Sequence, residues 1–328
     1  MRTKLFVTRK IPAAGLDRLL ADSRLSVKVY KRDRAIPRDI LLKRVKGAHV
    51  ILSILTDKID GEVMDASGPQ LKMIANYAVG FDNIDVNEAK RRGIIVTNSA
   101  HPGVSESVAE HTIALIFALA HRIVETDRFT RAGKYHAWGP QMFLGTDVIG
   151  KTLGIIGTGA IGSSVVKRMH DGFGINILYS DIKRNEALEQ KTGAKFVTKE
   201  ELLAQSDFVS IHVPLLPSTR HLISTSELAL MKKTAFLINT SRGPIVDEKA
   251  LLLALSEKRI AGAGLDVYEC EPMIDCDPED NLELRKMWNT VLTPHTASAT
   301  LETRNAMANV AADNILAFLD KKTPPNAL

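Results

Sequence analysis

Three polar residues in the second half of the chain have types and positions suited to chemistry. Arg242 stands in Ile238-Asn-Thr-Ser-Arg-Gly-Pro244, Glu271 in Leu265-Asp-Val-Tyr-Glu-Cys-Glu-Pro272, and His295 in Leu292-Thr-Pro-His-Thr-Ala-Ser298. Each lies just past an apolar run that reads as a parallel strand, at the edge where open α/β sheets bind ligands. A guanidinium holds a carboxylate in a planar, bidentate geometry that lysine lacks. An imidazolium gives a proton to a carbonyl oxygen as hydride arrives, and takes it back in oxidation. A carboxylate beside the imidazole favours its protonated form and fixes its orientation. Together the three suit hydride transfer to a 2-keto acid. Singly, an Arg-Gly is also an ordinary turn, a Glu-Pro a loop and a Pro-His a strand end.

A hydride donor needs a seat, and Lys151 to Gly162 supplies one. Leu153–Ile156 reads as a buried strand, Gly157, Gly159 and Gly162 follow in G-x-G-x-x-G spacing, and Ser163–Met169 reads as a helix. The first glycine permits the tight turn, the second lets backbone approach a pyrophosphate, and the third lets helix pack on strand. The pyrophosphate would sit at the helix N-terminus, where free N–H groups favour anions. A second strand, Asn176–Ser180, ends in Asp181. A carboxylate there accepts from both adenosine ribose hydroxyls and repels a 2′-phosphate. The expected cofactor is therefore NAD. Lys183 and Arg184 follow directly and keep NADP as the lesser alternative.

The elements around these residues alternate strand and helix throughout. In the first hundred residues, strands are expected at 4–8, 25–30, 48–52, 71–76 and 94–97, with helices between them. From 151 onward strands are expected at 153–156, 176–180, 196–197, 208–213, 235–239, 262–267 and 290–292. This βαβ pattern predicts an α/β fold of two doubly wound parallel-sheet domains. The division expected is 1–100 plus 298–328 for the substrate (catalytic) domain and 101–297 for the dinucleotide-binding one. Between them Ser105 to Ala132 reads as one long buried helix, and Lys134 to Gly150 as an irregular arm with Trp138 and Phe143. Leu301–Leu319 reads as a last helix that packs back on the first domain, followed by a frayed tail.

The chain has 328 residues, 45% hydrophobic and 25% charged, with a formal net charge of +5. Those values suit a globular protein of about two domains. The basic residues are scattered among acidic neighbours with no interleaved aromatics, so no nucleic-acid partner is expected. No uninterrupted apolar run reaches the ~18 residues of a membrane span, and the start of the chain shows no signal-peptide pattern, so neither a membrane nor secretion is expected. Cys270 and Cys276, the two cysteines, read as bystander thiols in a reducing cytoplasm, and no metal is expected.

Over essentially its full length the chain resembles the D-isomer-specific 2-hydroxyacid dehydrogenase family. The motifs that carry the resemblance are Asn76-Tyr-Ala-Val-Gly-Phe-Asp-Asn-Ile-Asp85, Val108-Ala-Glu-His111, Gly157-Thr-Gly-Ala-Ile-Gly162, His212-Val-Pro-Leu215, Asn239-Thr-Ser-Arg-Gly243, Gly264-Leu-Asp-Val-Tyr-Glu-Cys-Glu-Pro272 and Pro294-His295. The resemblance implies a flavodoxin-like substrate domain, a Rossmann NAD domain, and Arg242, Glu271 and His295 as the catalytic residues. It implies that Val79 and Gly80 hold the substrate carboxylate through backbone N–H groups, with Arg242. It makes Gly157, Thr158, Gly159, Ala160, Ile161 and Gly162 the pyrophosphate loop, with Val213 and Pro214 on the adenine side. Thr240 and Asp266 would meet the nicotinamide carboxamide. Glu110 and His111 are expected to be structural. A homodimer built on the long helix and arm, 104–150, is also implied.

Two departures from the family pattern stand out. Ala297 replaces a frequent glycine near the imidazole, and Ser241 a frequent alanine. Within the family, Asn76–Gly80, Leu55–Asp60 and Phe143–Gly145 look most like glyoxylate and hydroxypyruvate reductases, so a small anionic 2-keto or 2-hydroxy acid is the expected substrate. Phosphoglycerate, D-lactate, phosphite and 2-ketogluconate activities stay open. Glu271, where the formate dehydrogenases carry glutamine, argues against that branch. The rival class is a non-enzymatic NAD-sensing protein of the corepressor type, which would bind NADH without turning over any keto acid.

Overall fold

The structure is a computed structural model, and it describes residues 2–271 and 283–328. The chain forms two compact units, Met1–Val104 with Ala299–Leu328, and Ser105–Ser298.

The first unit is built on β1 (Thr3–Val7), β2 (Leu25–Val29), β3 (Val50–Ile54), β4 (Met73–Tyr77) and β5 (Ile95–Thr97), with helices α1 (Ala13–Ala21), α2 (Arg38–Arg44), α3 (Gly61–Ser67) and α4 (Val86–Arg91). All strands are parallel, in the order β2-β1-β3-β4-β5, the flavodoxin-like winding. Helices cover both faces of such a sheet, so its central strands are largely apolar. Val50, Ile51 and Leu52 of β3 are accordingly buried.

A last helix, here α12 (Leu301–Leu319), lies against α1. Their backbones approach so closely that a Cβ on Gly15 would sit 2.0 Å from the Ala308 carbonyl oxygen. Arg18 reaches Asp313 at 2.6 Å across the same contact. The tail beyond is not frayed as the sequence suggested. Leu328 N–H donates to the Val96 carbonyl at 2.9 Å, and Ala327 bridges Thr97. The tail satisfies backbone groups on the edge strand, a long-range pairing that its own composition does not announce.

The second unit carries β6 (Thr152–Ile156), β7 (Asn176–Ser180), β8 (Lys195–Phe196), β9 (Phe208–Ile211), β10 (Phe236–Asn239), β11 (Gly262–Leu265) and β12 (Thr290–Leu292). They form one parallel sheet in the order β12-β11-β10-β9-β6-β7-β8. Counted from β6, this is the doubly wound dinucleotide-binding order with one added strand, and it reverses between β6 and β9. Helices α7 (Ala160–Phe173), α8 (Glu186–Thr192), α9 (Lys199–Gln205), α10 (Thr225–Leu230) and α11 (Glu248–Ser256) connect the strands.

The expected single helix over 105–132 is two, α5 (Pro102–Ala120) and α6 (Ile123–Arg131). The break falls at Arg122, which takes a left-handed conformation with φ 53°. The Ala120 carbonyl accepts instead from Thr146 N–H at 2.9 Å, so the returning arm occupies the place of the next turn. By length and composition α5, with mean hydropathy 1.2, could cross a membrane, but half of it is buried in the protein. Leu115 and Leu119 pack over Gly264 of β11, where a Cβ would come within 3.2 Å of Leu115 Cβ. That is the signature of a core helix. Residues 132–151 are irregular, and Cys270 is disulfide-bonded rather than a bystander thiol. Cys276 and Pro272 lie outside the described residues.

Candidate active site

The sequence-expected residues of the second unit all lie at the carboxyl edge of its sheet. Gly157 follows β6, Asp181 follows β7, Val213 follows β9, Thr240–Arg242 follow β10, Asp266–Glu271 follow β11 and His295 follows β12.

His295 and Glu271 meet directly. His295 Nδ1 lies 2.6 Å from Glu271 Oε2, and both side chains are about three-quarters buried at 26% and 22% exposure. Glu271 Oε1 is held in turn by the Tyr268 N–H at 2.8 Å. Tyr268 Oη donates to the Thr293 carbonyl at 3.0 Å, tying the Glu271 loop to the His295 loop. His295 itself has φ 54°, a left-handed conformation that costs a non-glycine residue on the order of 1 kcal/mol. Hydrogen bonds from its N–H to the Asp266 and Thr293 carbonyls, at 2.8 and 3.1 Å, over-determine that turn. With Nδ1 engaged by the carboxylate, Nε2 is the nitrogen presented outward.

Asp266 is fully buried and acts as the hub of the same loop. Its Oδ1 accepts from Thr293 Oγ1 at 2.6 Å and Thr296 N–H at 2.8 Å, and its Oδ2 from Ala297 N–H at 2.8 Å. His111 of α5 joins through Nε2, 3.0 Å from Thr293 Oγ1, while Ser107 Oγ donates to the Ala297 carbonyl at 3.0 Å. Glu110, one residue away, is exposed.

Arg242 sits on a turn that Asn239 shapes from the strand end. Asn239 Nδ2 donates to the Arg242 carbonyl at 2.9 Å, and Asn239 Oδ1 accepts from Ser241 N–H and Oγ at 3.0 and 2.8 Å. Gly243 must be glycine here, because a Cβ would fall 1.7 Å from the Tyr268 carbonyl oxygen. The Arg242 turn and the Tyr268–Glu271 loop are thus in backbone contact. Thr240, buried, shares a hydrogen bond with Thr112 Oγ1 at 2.9 Å.

The glycine loop fits a dinucleotide. Gly157 has φ 94°, and its N–H donates to the Ser180 carbonyl at 2.9 Å. A Cβ at Gly162 would lie 2.1 Å from the Gly157 carbonyl oxygen, so helix and strand approach closely, whereas a Cβ at Gly159 would meet nothing within 4 Å. Gly159 is the N-cap of α7, whose first turn carries no acidic residue and whose N-terminus has no side-chain cap. Ala160 and Ile161 supply the first helical N–H groups, which favour an anion. Asp181 Oδ2 accepts from Thr158 N–H and Oγ1 at 2.6 and 2.9 Å. Partial burial opposes its ionisation, but these bonds and those from the Ile182 and Lys183 N–H groups hold its carboxyl below the ordinary range. Arg184 is drawn away into a two-pronged pair with Glu189 at 2.8 and 2.9 Å. His212 beside the loop is neutral, since burial pushes its imidazole down to about 3. Val213 packs beneath Gly157, and Pro214 is exposed.

In the first unit, Val79 and Gly80 form the loop after β4. The strand-end residues Tyr268, Asn239 and Gly243, and the amides Asn76 and Asn98 that hold the Val79–Gly80 loop, carry no role in the sequence reading. Among the described residues no three His, Cys, Asp or Glu side chains group to hold a metal ion.

Residues 113–297 match the model of the D-isomer specific 2-hydroxyacid dehydrogenase NAD binding domain. The glyoxylate reductase of Korarchaeum cryptofilum is 48% identical over 99% of this chain and 96% of its own length. A solved protein of Thermus thermophilus superposes with a TM-score of 0.90 at 40% identity, covering 99% of both chains. The NADPH-dependent glyoxylate/hydroxypyruvate reductase of Sinorhizobium meliloti, solved with NADP and malonate, gives 0.83 at 30% identity, covering 100% of this chain and 97% of that one. With this likeness along its whole length and a nucleotide-binding edge built as described, the chain belongs to the D-isomer specific 2-hydroxyacid dehydrogenase family and uses a nicotinamide cofactor.

Proposed function

We propose that the protein reduces a small 2-keto acid, glyoxylate or hydroxypyruvate, to the 2-hydroxy acid with NADH. The observation that carries this reading is the His295–Glu271 pair at the same sheet edge as the glycine loop. Nδ1 is fixed by a carboxylate at 2.6 Å, so the imidazole offers Nε2 as a proton donor of fixed direction. When bound, the nicotinamide supplies the hydride that adds to the keto carbon. His295 delivers the proton to the keto oxygen, which leaves the substrate as the alcohol, and recovers it from solvent. Arg242 holds the keto acid by its carboxylate, and the Val79–Gly80 N–H groups share that load. Thr158 to Gly162 bind the pyrophosphate, Asp181 the adenosine ribose, Val213 and Pro214 border the adenine, and Thr240 and Asp266 face the carboxamide. Residues 1–100 with 298–328 serve the substrate, and 101–297 the dinucleotide.

Glyoxylate and hydroxypyruvate are favoured because relatives named as their reductases match the chain over nearly its full length. NADH is favoured over NADPH because Asp181 is ionised and Arg184 is tied to Glu189. The arm residues Tyr135, Trp138, Leu144 and Ile149 are exposed, which supports a homodimer formed through α5 and the arm, testable by sedimentation. The deciding experiment is initial rates of NADH and NADPH oxidation with glyoxylate, hydroxypyruvate, pyruvate and 2-ketogluconate. The expected result is a kcat/KM for one of the first two well above the others. NADH binding with no turnover of any keto acid would overturn the reading.

A further inference from the structure

We infer that Asn76 and Asn98 are positioning residues for the substrate carboxylate, acting by turning the N–H groups of Gly80 and Phe81 outward. The inference rests on the reductase reading above and deepens it. Three successive carbonyls in this loop are held. Ala78 C=O accepts from Ser99 N–H at 2.8 Å. Val79 C=O accepts from Asn98 Nδ2 at 2.9 Å, and Gly80 C=O from Asn76 Nδ2 at 3.0 Å. In a trans peptide the next residue's N–H points opposite to the carbonyl. The N–H groups of Val79, Gly80 and Phe81 are therefore each directed away from the group that holds the loop. None of the three donates a hydrogen bond among the described residues. Val79 and Phe81 are exposed, so the loop lies at the surface.

The amides that do the holding are buried. Asn76 is 1% exposed and Asn98 9%, and a buried amide is stable only when its hydrogen bonds are made. Asn76 makes all of them: Oδ1 accepts from Ser53 Oγ and Nδ2 also donates to Asn83 Oδ1, both at 3.0 Å. Asn98 Oδ1 accepts from Ala100 N–H at 3.2 Å. Its own carbonyl is gripped by Asn314 Nδ2 of α12 at 3.0 Å. A chain of amides thus runs from the last helix, through the end of β5, to the loop. An aliphatic residue would fill either position more cheaply if packing were its only task. What the amides add is a fixed peptide-plane orientation, with N–H donors that need no reorganisation to accept an anion.

The test is Asn98→Ala, with Asn98→Ser as the milder variant and Asn76→Ser as the second site. KM and kcat would be measured for glyoxylate and for its neutral methyl ester with NADH, alongside the Kd of oxalate by calorimetry and the melting temperature. A lost charge-assisted hydrogen bond corresponds to roughly tenfold or more in affinity. The expected result is a rise of that size in glyoxylate KM and oxalate Kd, with ester kinetics and NADH KM within about twofold of wild type. A merely structural role would lower the melting temperature and weaken acid and ester alike, and that result, or an unchanged oxalate Kd, overturns the inference. If wild type turns over no keto acid yet binds oxalate, and Asn98→Ala weakens that binding, the reductase reading fails and the loop assignment stands. If wild type binds no oxalate, the loop assignment falls.

Discussion

The carboxyl edges of the two sheets solve the same topological problem with different chemistry. At the five-stranded edge the groups turned outward are the backbone N–H groups of Gly80 and Phe81, braced from behind by the amides of Asn76 and Asn98. At the seven-stranded edge they are ionisable side chains, Asp181, Arg242, Glu271 and His295, with Asp266 buried as the hub of the His295 loop. Recognising a carboxylate requires donors that stay where they are, and neutral backbone does this without the desolvation cost that burying a charge would carry. Moving a proton requires a group that titrates, which backbone cannot do. Even so, the charged edge is held by neutral groups, since the Tyr268 N–H fixes Glu271 and the Asp266 carbonyl fixes the His295 turn. The comparison teaches that charge is concentrated where the reaction needs it and rigidity is supplied elsewhere.

If that division is right, damage at the two edges should differ in kind. The largest effect is expected from His295→Gln, which removes the titrating group and keeps the size. Removing a general acid lowers kcat by about 10² to 10⁴, and NADH affinity should stay nearly unchanged, as measured by fluorescence titration. Turnover within a few-fold of wild type would show that another group supplies the proton. Arg242→Lys comes next. It keeps the charge but loses the bidentate fork, so KM for the keto acid should rise roughly 10–100-fold, with a smaller change in kcat. An unaltered KM with slow chemistry would move Arg242 away from the carboxylate. By contrast, Asn98→Ala at the neutral edge should weaken substrate without changing the shape of the pH–rate profile.

Much of this was readable from sequence because parallel strands buried on both faces appear as uninterrupted apolar runs. Leu153–Ile156 and Val50–Leu52 are examples, β2 is legible instead from the alternation over 25–30, and the strands of both sheets lie within two residues of the expected positions. The glycine loop was readable because Gly157 and Gly162 answer steric demands, as the 2.1 Å approach at Gly162 shows. Other features were hidden because long-range partners decide them. The break at Arg122 has no glycine or proline to announce it, and it arises where Thr146 returns to the Ala120 carbonyl. The tail at Asn326–Leu328 looked unstructured because nothing local orders it; Asn314 and β5 do. Asn76 and Asn98 had no role in the sequence, and only the carbonyls they hold give them one.

The smallest and most discriminating effect concerns Asp181. Its carboxylate is bonded to Thr158 N–H and Oγ1, so one group both shapes the glycine loop and stands where a ribose would meet it. Asp181→Ala should raise NADH KM and relieve repulsion of a 2′-phosphate, narrowing the NADH/NADPH ratio of kcat/KM by about 2–5-fold, since solvent screens a partly exposed carboxylate. The pH dependence follows from the direction of its shift. A carboxyl held below the unperturbed value of about 3.9 is ionised throughout the neutral and mildly acidic range. Asp181 itself therefore adds no pH dependence to the wild-type ratio between about pH 5 and 8, where the 2′-phosphate of NADPH, with a second pKa of about 6, is the group that titrates. The stability that Asp181 contributes is fully present above that unperturbed value and is lost only as pH falls through the lower folded one. The Asp181→Ala variant should lack this acid-side loss in thermal melts, which separates the carboxylate's own contribution from that of the loop it braces. A ratio unmoved in the variant would mean that the charged edge selects its cofactor through some group other than Asp181.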